Sequence, residues 1–168
     1  MKSRTFRLVM LGYFLVGISN FAAASADAAT IVALGASNTY GKGVARNQAY
    51  PAQLEAILRA KGSNVRVVNA GINGDTTAGM LQRLDRAVPN GTSVVILQPG
   101  GNDARKHSED RTAEIQSRLS ARGIPVILFP NNMLKGLPHQ PDGQHLTPEG
   151  YHMVAEYMAS QVAGAIGH

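Results

Sequence analysis

The chain contains no cysteine and no tryptophan, and only 5% of its 168 residues are aromatic. Without cysteine, disulfide frameworks, thiolate metal sites and cysteine nucleophiles are all excluded. With so few rings, a stacked-aromatic platform for nucleic acid is not expected, and no nucleic-acid partner is implied. Charged residues are also sparse, at 16%, with a formal net charge of +5. Lys2, Arg4 and Arg7 supply part of that excess. If they leave with an N-terminal segment that also carries Asp27, the remainder has 13 basic and 10 acidic residues, or about +3. The basic residues are scattered, so this charge suits at most peripheral contact with an anionic membrane surface. After the first thirty residues no stretch is long and apolar enough to span a bilayer.

The first thirty residues have their own logic. Residues 1–7 are basic, Leu8 to Ile18 is almost wholly apolar, and Ala22 to Ala29 is a string of small residues. Ala24-Ser25-Ala26 and Ala26-Asp27-Ala28 both present small residues at the positions a signal peptidase reads. The apolar run is short for a membrane span. The reading is a cleaved signal peptide over residues 1–28, with an uncleaved anchor as the alternative. No cysteine follows the run, which excludes a lipoprotein anchor. The expected location is periplasmic or secreted, with one domain over residues 29–168.

That body of about 140 residues is large enough to bury a core without staples. Short aliphatic runs at Thr30–Leu34, Val65–Val68, Val94–Leu97 and Pro125–Phe129 read as four strands. Between them, residues 48–61, Thr76–Arg86 and 109–122 read as helices, and Gly62 and Gly123 stop the first and third. Residues 130–146 read as a long loop. Thr147-Pro148 opens a last helix as N-cap and first position, with Val154, Tyr157, Met158, Val162 and Ile166 as its buried stripe. Continuous apolar strands alternating with helices imply a parallel sheet covered on both faces. The expected fold is α/β, a three-layer α/β/α, flavodoxin-like arrangement with strand order 2-1-3-4 and no clear fifth strand.

In such a sheet, ligands sit beyond the carboxyl ends of the strands, where the order reverses. Strand one exits into Gly35-Ala36-Ser37-Asn38-Thr39-Tyr40-Gly41, and strand two into Asn69-Ala70-Gly71-Ile72-Asn73-Gly74-Asp75-Thr76. Strand three exits into Gly100-Gly101-Asn102-Asp103, and Asp142-Gly143-Gln144-His145 precedes the last helix. One sheet edge thus holds a serine, a glycine-rich turn, an asparagine, and a histidine three residues after an aspartate. These are the parts of a serine hydrolase: nucleophile, oxyanion donors, base and base-orienter. Each has a plainer reading. The segments are also good turns, Asp75 or Thr76 could be only a helix cap, and Asp142-x-x-His145 could be a solvent-facing loop or half a metal site. Their joint occurrence, in order and at matching strand ends, is what argues for chemistry.

These four blocks resemble those of the SGNH hydrolases, also called GDSL-type esterases and lipases. The bacterial periplasmic group of thioesterase I, protease I and lysophospholipase is the most similar. The resemblance runs from Ile31 to the last helix, with Tyr50-Pro51, Leu54-Glu55 and Leu58 matching the helix after the first block. It implies Ser37 as nucleophile, His145 as base with Asp142 as its partner, and an oxyanion hole from Ser37, Gly74 and Asn102. It implies an exported enzyme that cleaves ester or thioester bonds, with acyl esters, thioesters or lysophospholipids as substrates. No cofactor and no metal are implied. His139 shares a loop with His145 and Asp142, but no i, i+4 histidine pair supports zinc.

The chain departs from the family in two ways. Ala36 stands where the family has an aspartate, which predicts a looser nucleophile loop. Only 38 residues separate Asp103 from Asp142, where relatives carry a further helix and strand that shape the acyl pocket. Alternatives are therefore a carbohydrate O-deacetylase of the same superfamily, whose small acyl group needs only a shallow site, and a non-catalytic binding module. Absence of a Gly-x-Gly-x-x-Gly or phosphate-binding loop after strand one counts against a nucleotide binder. His107 is a candidate lining residue, His152 reads as surface or packing, and Lys42 and Arg105 read as solvated charges near the mouth.

Overall fold

Alternate residues of two aliphatic strands face opposite sides of a sheet, and that alternation builds the whole molecule. The structure is a computed structural model and describes residues 27–167. The expected signal peptide lies almost wholly outside those residues. Strand β1 spans Ala29–Gly35, followed by a one-turn helix α1 (Ser37–Tyr40) and then α2 (Tyr50–Ala60). Strand β2 is Val65–Gly71, followed by α3 (Thr77–Gln82) and α4 (Leu84–Ala87). Strand β3 is Thr92–Leu97, α5 is Asn102–Arg105 and α6 is Thr112–Ala121. Strand β4 is Val126–Leu128, and α7 is Pro148–Ala165.

The four strands pair in parallel in the order β2-β1-β3-β4. On one face Ile31, Ala33, Val94 and Ile96 pack against Tyr50, Leu54 and Leu58 of α2 and Tyr151, Val154 and Met158 of α7. On the other, Val32, Leu34, Val95 and Leu97 pack against Met80, Leu84, Ile115 and Leu119. This is the expected three-layer arrangement, with β1 and β3, buried along most of their length, at its centre. Register opposes Gly35 to Gly71, and Leu34 to both Ala70 and Leu97. The loops after β1, β2 and β3 therefore leave the same sheet edge side by side.

Several local expectations are corrected. The helix expected over Thr76–Arg86 is two, because Arg83 leaves helical geometry (φ −105°, ψ 9°). Residues 130–146 include a 3-10 segment, Asn131–Gly136. Tyr157 is 51% exposed, not part of the buried stripe. That stripe runs through Tyr151, Val154, Ala155, Met158, Ala159 and Val162, spaced three and four apart. Thr147 does cap α7, accepting from the Gly150 N–H at 3.2 Å. Among the described residues no helix is long and apolar enough to cross a membrane.

Candidate active site

Ser37 opens α1 immediately beyond β1, and the turn that carries it is tied down from three sides. From the end of β3, the Gln98 Oε1 accepts the Ala36 N–H (3.2 Å), the Thr39 N–H (3.1 Å) and the Thr39 hydroxyl (2.8 Å). The Gly35 carbonyl accepts the Ile72 N–H and a guanidinium N–H of Arg83. From α7, the Tyr151 hydroxyl donates to Asn38 Oδ1 at 3.0 Å. The loop lacks an aspartate at Ala36 yet has these other anchors, so the expected looseness is not what its bonding indicates. Close approach is also built in: a Cβ on Gly71 would fall within van der Waals overlap of the Tyr40 backbone nitrogen.

The base comes from the other end of the chain. The His145 Nε2 is 2.9 Å from Ser37 Oγ, and its Nδ1 is 2.5 Å from Asp142 Oδ2. The second Asp142 oxygen accepts the backbone N–H groups of Gln144 and His145, both at 2.9 Å. These bonds hold the Asp142 carboxyl well below the usual carboxylate range. The His145 side chain contributes most, then the two backbone donors. An ionised carboxylate only accepts, so Nδ1 carries the proton and Nε2 is left to accept from the serine hydroxyl. His145 is buried, whereas the Asp142 side chain is 42% exposed. Gln140 stitches this loop shut, its N–H bonding the His145 carbonyl and its side-chain amide the Leu146 and Lys42 carbonyls.

Asn102 begins α5. Its Nδ2 donates to the Asp75 carbonyl (2.7 Å), and its Oδ1 accepts from Arg105 (2.5 Å). This pair of bonds orients the amide with nitrogen and oxygen distinguished. Asp103 takes the Thr77 N–H and hydroxyl, locking α5 to the start of α3. Asp75 pairs with Arg83 at 2.8 Å, both side chains nearly buried. Through Arg83 the second loop is thus joined to the serine turn.

Ser37, Asn102 and His145 line one cavity of about 300 Å³, together with Asn38, Gln98, Asn131, Gln144 and Arg105. Leu134 is its one large aliphatic side chain among the described residues. Gly74 (φ +70°) stands in the adjacent turn and is not among the lining residues; its carbonyl accepts Lys106 Nζ at 2.6 Å. A larger hollow of about 510 Å³ beside α2 holds alanines, Ile57 and His152, but no such constellation. His152 bonds Gln53 there, His139 bonds the Leu137 carbonyl, and His107 is exposed outside the cavity lining. Arg105 is exposed at the cavity, as expected, and it also donates to Asn102 and Gln144.

Gln98, Arg83 and the two-sided hold of Arg105 were not foreseen. Gln98 follows strand three directly, which was the available signal. The role of Arg83 depends on a break within an otherwise regular helical pattern.

The pattern of the GDSL-like Lipase/Acylhydrolase family matches residues 33–158. Esterase TesA of Pseudomonas aeruginosa is 33% identical over 110 residues, covering 62% of this chain and 55% of that protein. This chain therefore spans only about half the length of that relative. The solved structure of AlinE4, an SGNH-hydrolase family esterase, is 26% identical, with a TM-score of 0.57 over 85% of this chain and 99% of that one. A crystal structure of TesA superposes with a TM-score of 0.66 at 24% identity, covering 81% and 99% of the two chains.

Proposed function

The chain belongs to the GDSL-like lipase/acylhydrolase family, and from that premise we propose a serine hydrolase that transfers an acyl group from an ester to water. One observation carries the reading: a serine oxygen 2.9 Å from an imidazole nitrogen whose other nitrogen faces a carboxylate.

Ser37 Oγ attacks the ester carbonyl as its proton passes to His145 Nε2. Imidazole is the side chain that exchanges protons near neutral pH. Asp142 holds the ring in the productive tautomer and stabilises the imidazolium. The negative charge that develops on the carbonyl oxygen is met by the N–H groups of Ser37 and Gly74 and by the Asn102 amide. Loss of one such donor typically costs about 3–4 kcal/mol of barrier. Collapse expels the alcohol, which takes the proton from His145. Water then repeats the sequence on the acyl-serine and frees the acid.

Thioesters and lysophospholipids fit the same chemistry. The lining of the cavity narrows the choice. Five amide side chains and one large aliphatic one suit a short acyl group on a polar alcohol, which favours the sugar O-acetyl reading over a long-chain lipase. Residues 1–28 are proposed as a cleaved signal peptide and 29–168 as one domain, working in the periplasm or outside the cell.

The test is hydrolysis of nitrophenyl esters from acetyl to palmitoyl by the mature protein beside Ser37→Ala. Expected is turnover that falls steeply beyond butyryl and vanishes in the variant. Equal rates for both proteins on every ester, and on acetylated glycans, would leave only a binding module.

A further inference from the structure

Arg59, Arg83, Arg111, Arg118 and Arg122 each lie within ion-pair distance of a carboxylate. Among the described residues Lys42, Arg46, Lys61, Arg66, Arg86 and Lys135 do not, and neither do Arg105 and Lys106, which follow Asn102 at the site. Both are nevertheless held, and by neutral acceptors. Arg105 donates to Asn102 Oδ1 at 2.5 Å and to Gln144 Oε1 at 3.2 Å. Lys106 donates to the Gly74 carbonyl at 2.6 Å. A neutral acceptor fixes a cation without cancelling its charge. Arg105 also lines the cavity that holds Ser37 and His145, and no aspartate or glutamate is among the lining residues. The carboxylates nearest in sequence to that lining hydrogen-bond elsewhere, Asp103 with the Thr77 N–H and hydroxyl and Asp142 with His145 and two backbone donors, and neither lies within ion-pair distance of Arg105.

We propose that Arg105 is an anion-recognition residue, and that the ester this site takes carries a carboxylate or phosphate close to its scissile carbonyl, with Lys106 adding to the field. The proposal rests on the reading of Ser37 as nucleophile. The guanidinium presents several donors in a planar fork that suits either anion. Two of its nitrogens are used inside the protein, which orients the fork before substrate arrives. An uncompensated, pre-oriented cation lowers the cost of binding an anion and costs a neutral ester nothing.

The test measures binding, so it does not depend on turnover. Ser37→Ala protein is titrated, with amide chemical shifts as readout, against pairs matched in size. Monomethyl succinate against methyl butyrate places the carboxylate on the acyl side. Acetoxyacetate and 2-acetoxyethyl phosphate against 2-methoxyethyl acetate place carboxylate or phosphate on the alcohol side. Expected is roughly tenfold tighter binding of an anionic ester in at least one pair, since charge-assisted bonds are about twice as strong as neutral ones. The preference should fall within about twofold in Ser37→Ala/Arg105→Ala, return in part with Arg105→Lys, and weaken as salt is raised. Equal binding within every pair, or a preference that survives Arg105→Ala, overturns the proposal. Turnover of the neutral esters by the unmodified protein reports separately on the hydrolase. Hydrolysis without anion preference sinks this inference alone, whereas anion preference without hydrolysis sinks the catalytic reading alone.

Discussion

A serine from one end of the sheet's first strand and an aspartate and histidine from a single loop more than a hundred residues later meet within hydrogen-bond distance, and residue chemistry sets what they can do. Asp142 is bonded by His145 and by two backbone N–H groups, and its carboxyl is held far down. The sign follows directly. A depressed carboxyl favours the fold above its ordinary titration point near about 3.9, and loses that contribution only as pH falls through the lowered value. Asp142 therefore stays ionised across the working range, and its side-chain carbon signal should show no titration step between about pH 4 and about pH 8. Asp142→Asn should lower kcat by about 10²- to 10⁴-fold with little change in KM, because the wrong tautomer is favoured. At this scale the sequence was most legible: Ser37, Asn102, Asp142 and His145 are brought together as their motifs suggested. Gly74, named from the same motifs, stands in the adjacent turn and is not among the lining residues.

At the scale of elements, the strand ends organise the site. The Gln98 side chain reaches from the end of β3 to the serine turn after β1 and accepts three donors there. Replacing it with leucine would leave buried donors unpaired at about 1–3 kcal/mol for such a group. Gln98→Leu should therefore lower the thermal midpoint and also reduce kcat. Gln98→Glu, which keeps the acceptor oxygens, should retain more of both. A leucine variant with unchanged midpoint and rate would show that the turn holds itself. What the sequence hid at this scale was tertiary. Apolar spacing joins Met80 to Leu84 into one helix, but Arg83 leaves helical geometry and its side chain reaches Asp75 and the Gly35 carbonyl. Tyr157 has the chemistry of a core residue, yet it is offset from the stripe set by Tyr151, Val154 and Met158, so it faces solvent.

For the whole molecule, one sheet with two separate apolar faces raises the question of cooperativity. Leu54 belongs to the core on the α2–α7 side and Leu119 to the core on the other, and both are fully buried. Truncation to alanine at either should cost about 2–5 kcal/mol. The buried strands β1 and β3 are shared by both cores and carry Ser37 and Gln98 at their ends. Loss of ester turnover and loss of helical signal in urea should therefore share one midpoint in each variant. Turnover lost at clearly lower urea would mean that the site edge opens on its own. Strand alternation and order were legible because the four apolar runs are short, aliphatic and evenly punctuated by glycine and proline. The 3-10 segment at Asn131–Gly136 was not, because such turns leave no apolar period.

The central claim is that Ser37 is an activated nucleophile, and an organophosphonate tests it without any choice of substrate. Intact-mass measurement should find one adduct per chain, located on Ser37, absent in Ser37→Ala and strongly slowed in His145→Ala. An unlabelled protein, or equal labelling of Ser37→Ala, would contradict the account.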